Sequence, residues 1–220
     1  MTTTQTVAQA ARVRLTPRDR ETLGVVAGLR AVRMDDLAAL LSKTADPLHI
    51  RSAREIVSRW QRLGLAEAHR PTNGLSVITA TTTGAAWAGV TAPTGLPGWG
   101  QLPHTLTTAA LAIAYRRGGA AWTPEPLIVL PPGCEHRPDG IAHPANGNGT
   151  TAATAVEVEL TQKSAQRLAV IVPDLLDNWQ NVAYWATPKV GAAVSKWAAH
   201  NLRADEQQRL TVRPLGAWTR

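Results

Sequence analysis

Residues 91–100 read Thr91-Ala-Pro-Thr-Gly-Leu-Pro-Gly-Trp-Gly, two prolines and three glycines in ten positions. Proline removes the amide hydrogen that a helix interior or a central strand needs. Glycine loses the most backbone freedom on ordering, so no regular element is expected to cross this stretch. It divides the 220-residue chain into two parts, 14–90 and 101–220, each long enough for a small domain.

Charge is unequally shared between them. The chain carries a net +7. Residues 1–90 hold 12 Lys+Arg against 7 Asp+Glu, a net +5, and residues 101–220 hold 11 against 9, a net +2. Positive charge concentrated in one part points to a polyanionic partner, most often nucleic acid. A single cysteine, Cys134, excludes a disulfide framework and a cysteine-rich zinc site and suits a reducing compartment. The polar start Met1-Thr-Thr-Thr-Gln-Thr lacks a signal-peptide pattern. No apolar run approaches the ~18–20 residues of a membrane span. The expectation is a cytoplasmic protein that does not engage a membrane.

Thr16-Pro17-Arg18-Asp19 is a helix start, with Thr as N-cap, Pro in the first turn and an acid behind it. A second short helix is expected over Met34–Leu41 and a third from about Leu48 to Leu63, closed by Gly64. Two alternating segments, Leu65–Arg70 and Leu75–Ala80, flank Asn73-Gly74, a strong hairpin signal. Three helices followed by a hairpin are the order of a winged helix-turn-helix. In the third helix Arg51, Arg54, Ser58, Arg59 and Arg62 fall on one broad face, opposite Ile50, Ala53, Val57 and Trp60. The second helix of a helix-turn-helix enters the major groove, where arginine bonds guanine edges or phosphates. The alternative is a solvated basic face. Arg70, at the wing, is a further phosphate contact in the first reading.

The second part alternates helix and strand. Helices are expected at His104–Arg116, Ser164–Trp179 and Gly191–Leu202. Strands are expected at Trp122–Leu130, Arg137–Ala142, Ala153–Leu160, Asn181–Ala186 and Arg209–Leu215, a mixed α/β pattern. Alternation along Ala153–Leu160 sends Glu157 and Glu159 to one face and Val156, Val158 and Leu160 to the other. With Asp139 on a neighbouring strand, three carboxylates converge. Such a group is relieved by a cation, and Mg²⁺ held by one or two carboxylates plus substrate phosphate supplies it. Two glutamates on a solvent-facing strand are the plainer alternative.

The segments Leu15-Thr-Pro-Arg-Asp-Arg-Glu, Asp36-Leu-Ala-Ala-Leu-Leu and Arg59-Trp-Gln-Arg-Leu-Gly-Leu resemble the winged-helix part of the plasmid replication-relaxation proteins. Arg137-Pro-Asp-Gly, Val156-Glu-Val-Glu-Leu-Thr-Gln-Lys-Ser and Arg167-Leu are similar to their second domain, which in turn resembles the PD-(D/E)xK nuclease fold. The resemblance covers about residues 14–216. It implies Asp139 and Glu157 as the metal-binding acids. Glu159 takes the third catalytic position, where most such nucleases have lysine, and Lys163 supplies a displaced cation. His104 lies in the helix that often contributes an accessory residue.

Other chemistries lack their motifs. There is no P-loop, no nucleophile elbow and no histidine cluster of a relaxase. The spacing of Cys134, His136 and His143 fits no zinc template, and they read as loop residues. Tyr184 reads as a core aromatic. The expected fold class is therefore mixed α+β, a winged helix-turn-helix followed by an α/β PD-(D/E)xK-like domain. The expected function is sequence-specific binding of double-stranded DNA in plasmid replication or conjugative transfer, with Mg²⁺-dependent nicking or cleavage, Mn²⁺ serving as substitute. The alternative is a non-catalytic replication or transcription regulator whose second domain serves homodimerisation or DNA bending.

Overall fold

A computed structural model describes residues 14–70, 74–144 and 153–216. The protein is a mixed α+β structure with eight α-helices and two sheets among these residues. None of the helices is long and apolar enough to cross a membrane.

The first part begins with α1 (Pro17–Leu29). Thr16 and Asp19 form the expected reciprocal cap: the Asp19 amide donates to Thr16 Oγ1 at 3.2 Å, and the Thr16 amide donates to Asp19 Oδ2 at 2.7 Å. The pair β1 (Val32–Arg33) and α2 (Met34–Leu41) follows, then α3 (Ile50–Arg62), β2 (Ala66–His69), β3 (Val77–Ala80) and α4 (Thr82–Ala88). Gly64 takes φ 67° just past α3, as a helix-terminating glycine does. The three strands form an antiparallel sheet in the order β1-β3-β2. β1 is too short to carry a sequence signal, yet it places β3 in the centre, where all four of its residues are buried. The hairpin turn at 71–73 lies outside the described residues.

The second part runs α5 (Leu102–Arg117), β4 (Ala121–Pro124), a 3₁₀ turn at Glu125–Leu127, β5 (Gly140–His143), β6 (Thr154–Glu159), α6 (Ala165–Asn178), β7 (Asn181–Ala186), α7 (Pro188–Asn201), α8 (Ala204–Arg209) and β8 (Leu210–Pro214). Its sheet is ordered β4-β5-β6-β7-β8, antiparallel from β4 to β6 and parallel from β6 to β8. The strand expected over Trp122–Leu130 stops at Pro124, because Pro124 and Pro126 cannot donate to a ladder. β4 is accordingly an edge. α8 had no signal of its own.

The linker holds no helix or strand, as its composition requires, but it does not separate two independent cores. Leu96 packs on Ala31, Val77, Leu102 and Leu106. A single apolar cluster joins Leu23, Leu37 and Trp60 of the first part to Leu111, Ile113, Val156 and Val158 of the second. A second cluster, on the opposite side of the large sheet, contains Ala155, Ile171, Leu175, Val182 and Tyr184. The alternation expected for β6 holds, with one difference. Both faces are covered, so Glu157 and Glu159 are only 3% and 5% exposed.

Asp19 ties the first part together. It is fully buried and accepts from Trp60 Nε1 at 2.8 Å and from the Arg59 guanidinium. Burial alone would push its carboxyl up. The bonds from Thr16 and Trp60 and the Arg59 cation together hold it below 3.8. Stability from this group is thus present above pH 3.8 and is lost as the pH falls through the lower folded value. Asp19→Ala is expected to cost about 2–3 kcal/mol near neutral pH, since it takes the acceptor from a half-buried guanidinium and a buried indole N–H. Urea denaturation of both proteins measures this, and the difference should shrink in strong acid.

Candidate functional site

Two clusters of charged side chains emerge from this fold. The first is the outer face of α3. Its inner face, Ala53, Ile56, Val57 and Trp60, is buried, which forces the residues between them outward. Arg51, Arg54, Ser58 and Arg62 are exposed and line a shallow depression with Glu55 and Gln61. Arg51 Nε lies 3.3 Å from Glu55 one turn on, an exposed pair of small energetic weight. Arg59 does not join this face, since it turns inward to Asp19. Arg70 is exposed at the end of the β2 strand.

The second cluster is acidic and sits at the ends of β5 and β6. Gly140 follows Asp139 in the chain, and a Cβ there would run into the Trp122 indole. The Pro-Asp-Gly sequence therefore fits a close approach of β4 to β5. Asp139 Oδ2 accepts from the Val158 amide at 2.7 Å and from His104 Nε2 at 3.2 Å. His104 Nε2 also meets the Val158 carbonyl at 3.0 Å. Both neighbours are acceptors, so this nitrogen carries the proton. Glu157 Oε1 lies 3.0 Å from His136 Nε2. Glu159 pairs with Lys163, which stands just before Ser164, the N-cap of α6. Each of the three carboxylates thus has a cationic or protonatable partner of its own.

The electrostatics follow from burial and proximity. Desolvation and then the Asp139 charge push the Glu157 carboxyl up, while His136 and Lys163 oppose them. The hydrogen bond to Asp139 holds the His104 imidazolium above 6.5, and the bond to Glu157 does the same for His136. Tyr184, paired with Glu157 across β6 and β7, has its phenol raised by burial and by the neighbouring carboxylates. Its hydroxyl is buried without a hydrogen-bond partner.

Sequence reasoning placed Asp139, Glu157, Glu159 and Lys163 in one neighbourhood; in the structure the Asp139 and Lys163 charges act on Glu157, and Glu159 is paired with Lys163. It missed His136. The loop bearing it is held by Asp174 of α6, which accepts from the Glu135 amide at 3.2 Å and the His136 amide at 2.7 Å. His-x-x-Asp, with His136 three residues before Asp139, was the only available signal. Cys134 and His143 stay apart from the carboxylates. Burial and then the facing Asp174 carboxylate raise the Cys134 thiol, and His143 meets Thr123. Among the described residues, no group of three or more His, Cys, Asp or Glu side chains is arranged to hold a metal ion.

Compared with family models, curated proteins and solved structures, the chain matches none.

Stability from the two histidines is fully present below pH 6.5 and is lost as the pH rises through their raised folded values. In the presence of a chelator, the melting temperature should fall between about pH 6 and about pH 8. The double variant His104→Gln/His136→Gln should show a flatter profile. Equal profiles would mean that the imidazoles do not charge against these carboxylates.

Proposed function

We propose that the chain is a sequence-specific double-stranded DNA-binding protein of plasmid replication or conjugative transfer, related to the plasmid replication-relaxation proteins. The observation that carries this is α3. Its exposed arginines back onto a buried face, so the helix is fixed to the body and presents Arg51, Arg54, Ser58 and Arg62 together. The order α1-β1-α2-α3-β2-β3 with a central β3 supports reading the first part as a winged helix-turn-helix. In that reading α3 enters the major groove, its arginines bond guanine edges and phosphates, and Arg70 on the wing touches phosphate. Arg59 is a positioning residue that locks α3 to α1.

The second part, α5-β4-β5-β6-α6-β7, supports the PD-(D/E)xK-like reading through its order and through Asp139 and Glu157 at adjacent strand ends. The donor chemistry suits Mg²⁺ or Mn²⁺. Two hard carboxylates lie close enough that the Asp139 charge raises Glu157, a repulsion a cation would relieve. Asp139 and Glu157 would hold the ion, which when bound would activate water and neutralise charge on a phosphodiester. Glu159 and Lys163 hold each other, and the Lys163 charge also lowers Glu157. His104 and His136 keep the two acids oriented.

One observation favours the non-catalytic alternative, in which this part serves dimerisation or DNA bending. The acids are already satisfied by His104, His136 and Lys163, so an ion must displace them. Supercoiled plasmid incubated with the full chain and Mg²⁺ or Mn²⁺ separates the two. Metal-dependent nicking that Asp139→Ala abolishes, with duplex binding kept, is the expected result. Binding without cleavage under either metal would assign the second part a structural role.

A further inference from the structure

α1 ends in a backbone conformation that L-residues avoid. Arg30 has φ 67° and ψ −47°, and the Ala31 amide donates to the Leu29 carbonyl at 2.8 Å, a γ-turn of the rare positive-φ kind. Arg30 is the one non-glycine residue with positive φ among those described. Such strain persists only where the surroundings impose it, and it gathers at ligand sites.

Arg30 lines a small pocket with Gly28 of α1, His104 and Thr108 of α5, Glu125 and Asp139. The walls therefore come from both parts of the chain. Two polar atoms in these residues, Arg30 Nε and Thr108 Oγ1, are buried and have no hydrogen-bond partner. Burying a polar group unpaired is unfavourable, and the two residues that carry these atoms line the same pocket, so a small shift of either side chain would bring its polar atom to a ligand there. Guanidinium is a donor only, and a threonine hydroxyl can donate, so the ligand presents acceptor oxygens. The volume, about 40 Å³, admits an oxygen or two and excludes a nucleobase. Arginine's planar fork matches phosphate in particular. Asp139 does not repel such a ligand at full strength, because His104 and the Val158 amide already bind its carboxylate. Glu125 is exposed, so water screens its charge.

We propose that this pocket binds the oxygens of a phosphate group at the seam between the two parts, with Arg30 as the principal ligand and Thr108 as the second. Assigning that phosphate to a DNA backbone rests on the function proposed above. The pocket's preference for phosphate does not. Bound there, the phosphate lies beside Asp139, so the first part supplies the cation that delivers a strand to the acidic centre of the second.

The test follows the amide signals of Gly28 and Thr108 in the full chain by NMR during titration with inorganic phosphate. Saturable shifts are expected. Arg30→Gly should weaken binding at least tenfold while leaving the melting temperature unchanged or higher, because glycine relieves the positive φ. Thr108→Val should weaken it less. Absence of saturable shifts, or wild-type phosphate binding by Arg30→Gly, would overturn the proposal. A short duplex forms the second arm. Shifts at the same two amides that Arg30→Gly suppresses support a backbone phosphate. Shifts with phosphate alone overturn the backbone assignment and leave a free-phosphate site. The variant Arg51→Ala/Arg54→Ala/Arg62→Ala separates the two proposals: if it keeps the phosphate shifts while duplex binding is lost, this pocket stands and α3 is the DNA anchor. Wild-type duplex binding by that variant counts against the proposed function alone.

Discussion

β6 carries two glutamates through a sheet that is covered on both faces, and much of the second part is arranged around that burden. A carboxylate at 3% or 5% exposure is not tolerated as an isolated charge. Glu157 is met by His136, on a loop that Asp174 of α6 holds by its backbone. Glu159 is met by Lys163 at the start of α6. Asp139, at the end of β5, is met by His104 of α5 and by the Val158 amide. The loop before β5, the entry to α6 and α5 thus each contribute a contact to one of the three acids. A simple fold would fill these positions with aliphatic side chains, which is often as stable as a buried ion pair or more so. The retention of acids at these covered positions is what the proposed site rests on.

α1 links this centre to the basic helix. Asp19, near its start, bonds Trp60 and Arg59 of α3, and Arg30, at its end, lines the pocket beside Asp139. A helix of 13 residues spans roughly 20 Å, so the two charged surfaces are held at a set separation by one rigid element. The apolar cluster shared by both parts reinforces that coupling. The proline- and glycine-rich linker therefore connects parts that are packed together.

Much of this was legible from local chemistry. The Thr-Pro-x-Asp cap, the antiparallel pairing of the two segments that flank Asn73-Gly74, the α3 periodicity and the β6 alternation each have a short-range cause, and each appears within a few residues of its expected position. What stayed hidden depends on tertiary packing. β1 and α8 are too short for any periodic signal. The inward turn of Arg59 is set by Asp19, forty residues earlier. The burial of the glutamate face needs α6 to fold over the sheet, which alternation on β6 does not reveal. His136 read as a loop residue because its role depends on a loop being drawn to a strand. Arg30 gave no sequence signal, since arginine is an unusual choice for positive φ.

The central proposal, that the outer face of α3 anchors DNA, is tested most directly by the salt dependence of duplex binding. Each neutralised phosphate contributes roughly 0.9 to the slope of log Kobs against log salt. If Arg51, Arg54 and Arg62 all reach the backbone, the triple alanine variant should lower that slope by about 2 to 3; any of the three that reads a base edge contributes to specificity instead, and the loss is then nearer 1 to 2 with weakened site discrimination. Binding by the full chain that is independent of salt, or a triple variant with unchanged slope and unchanged site preference, would contradict the account.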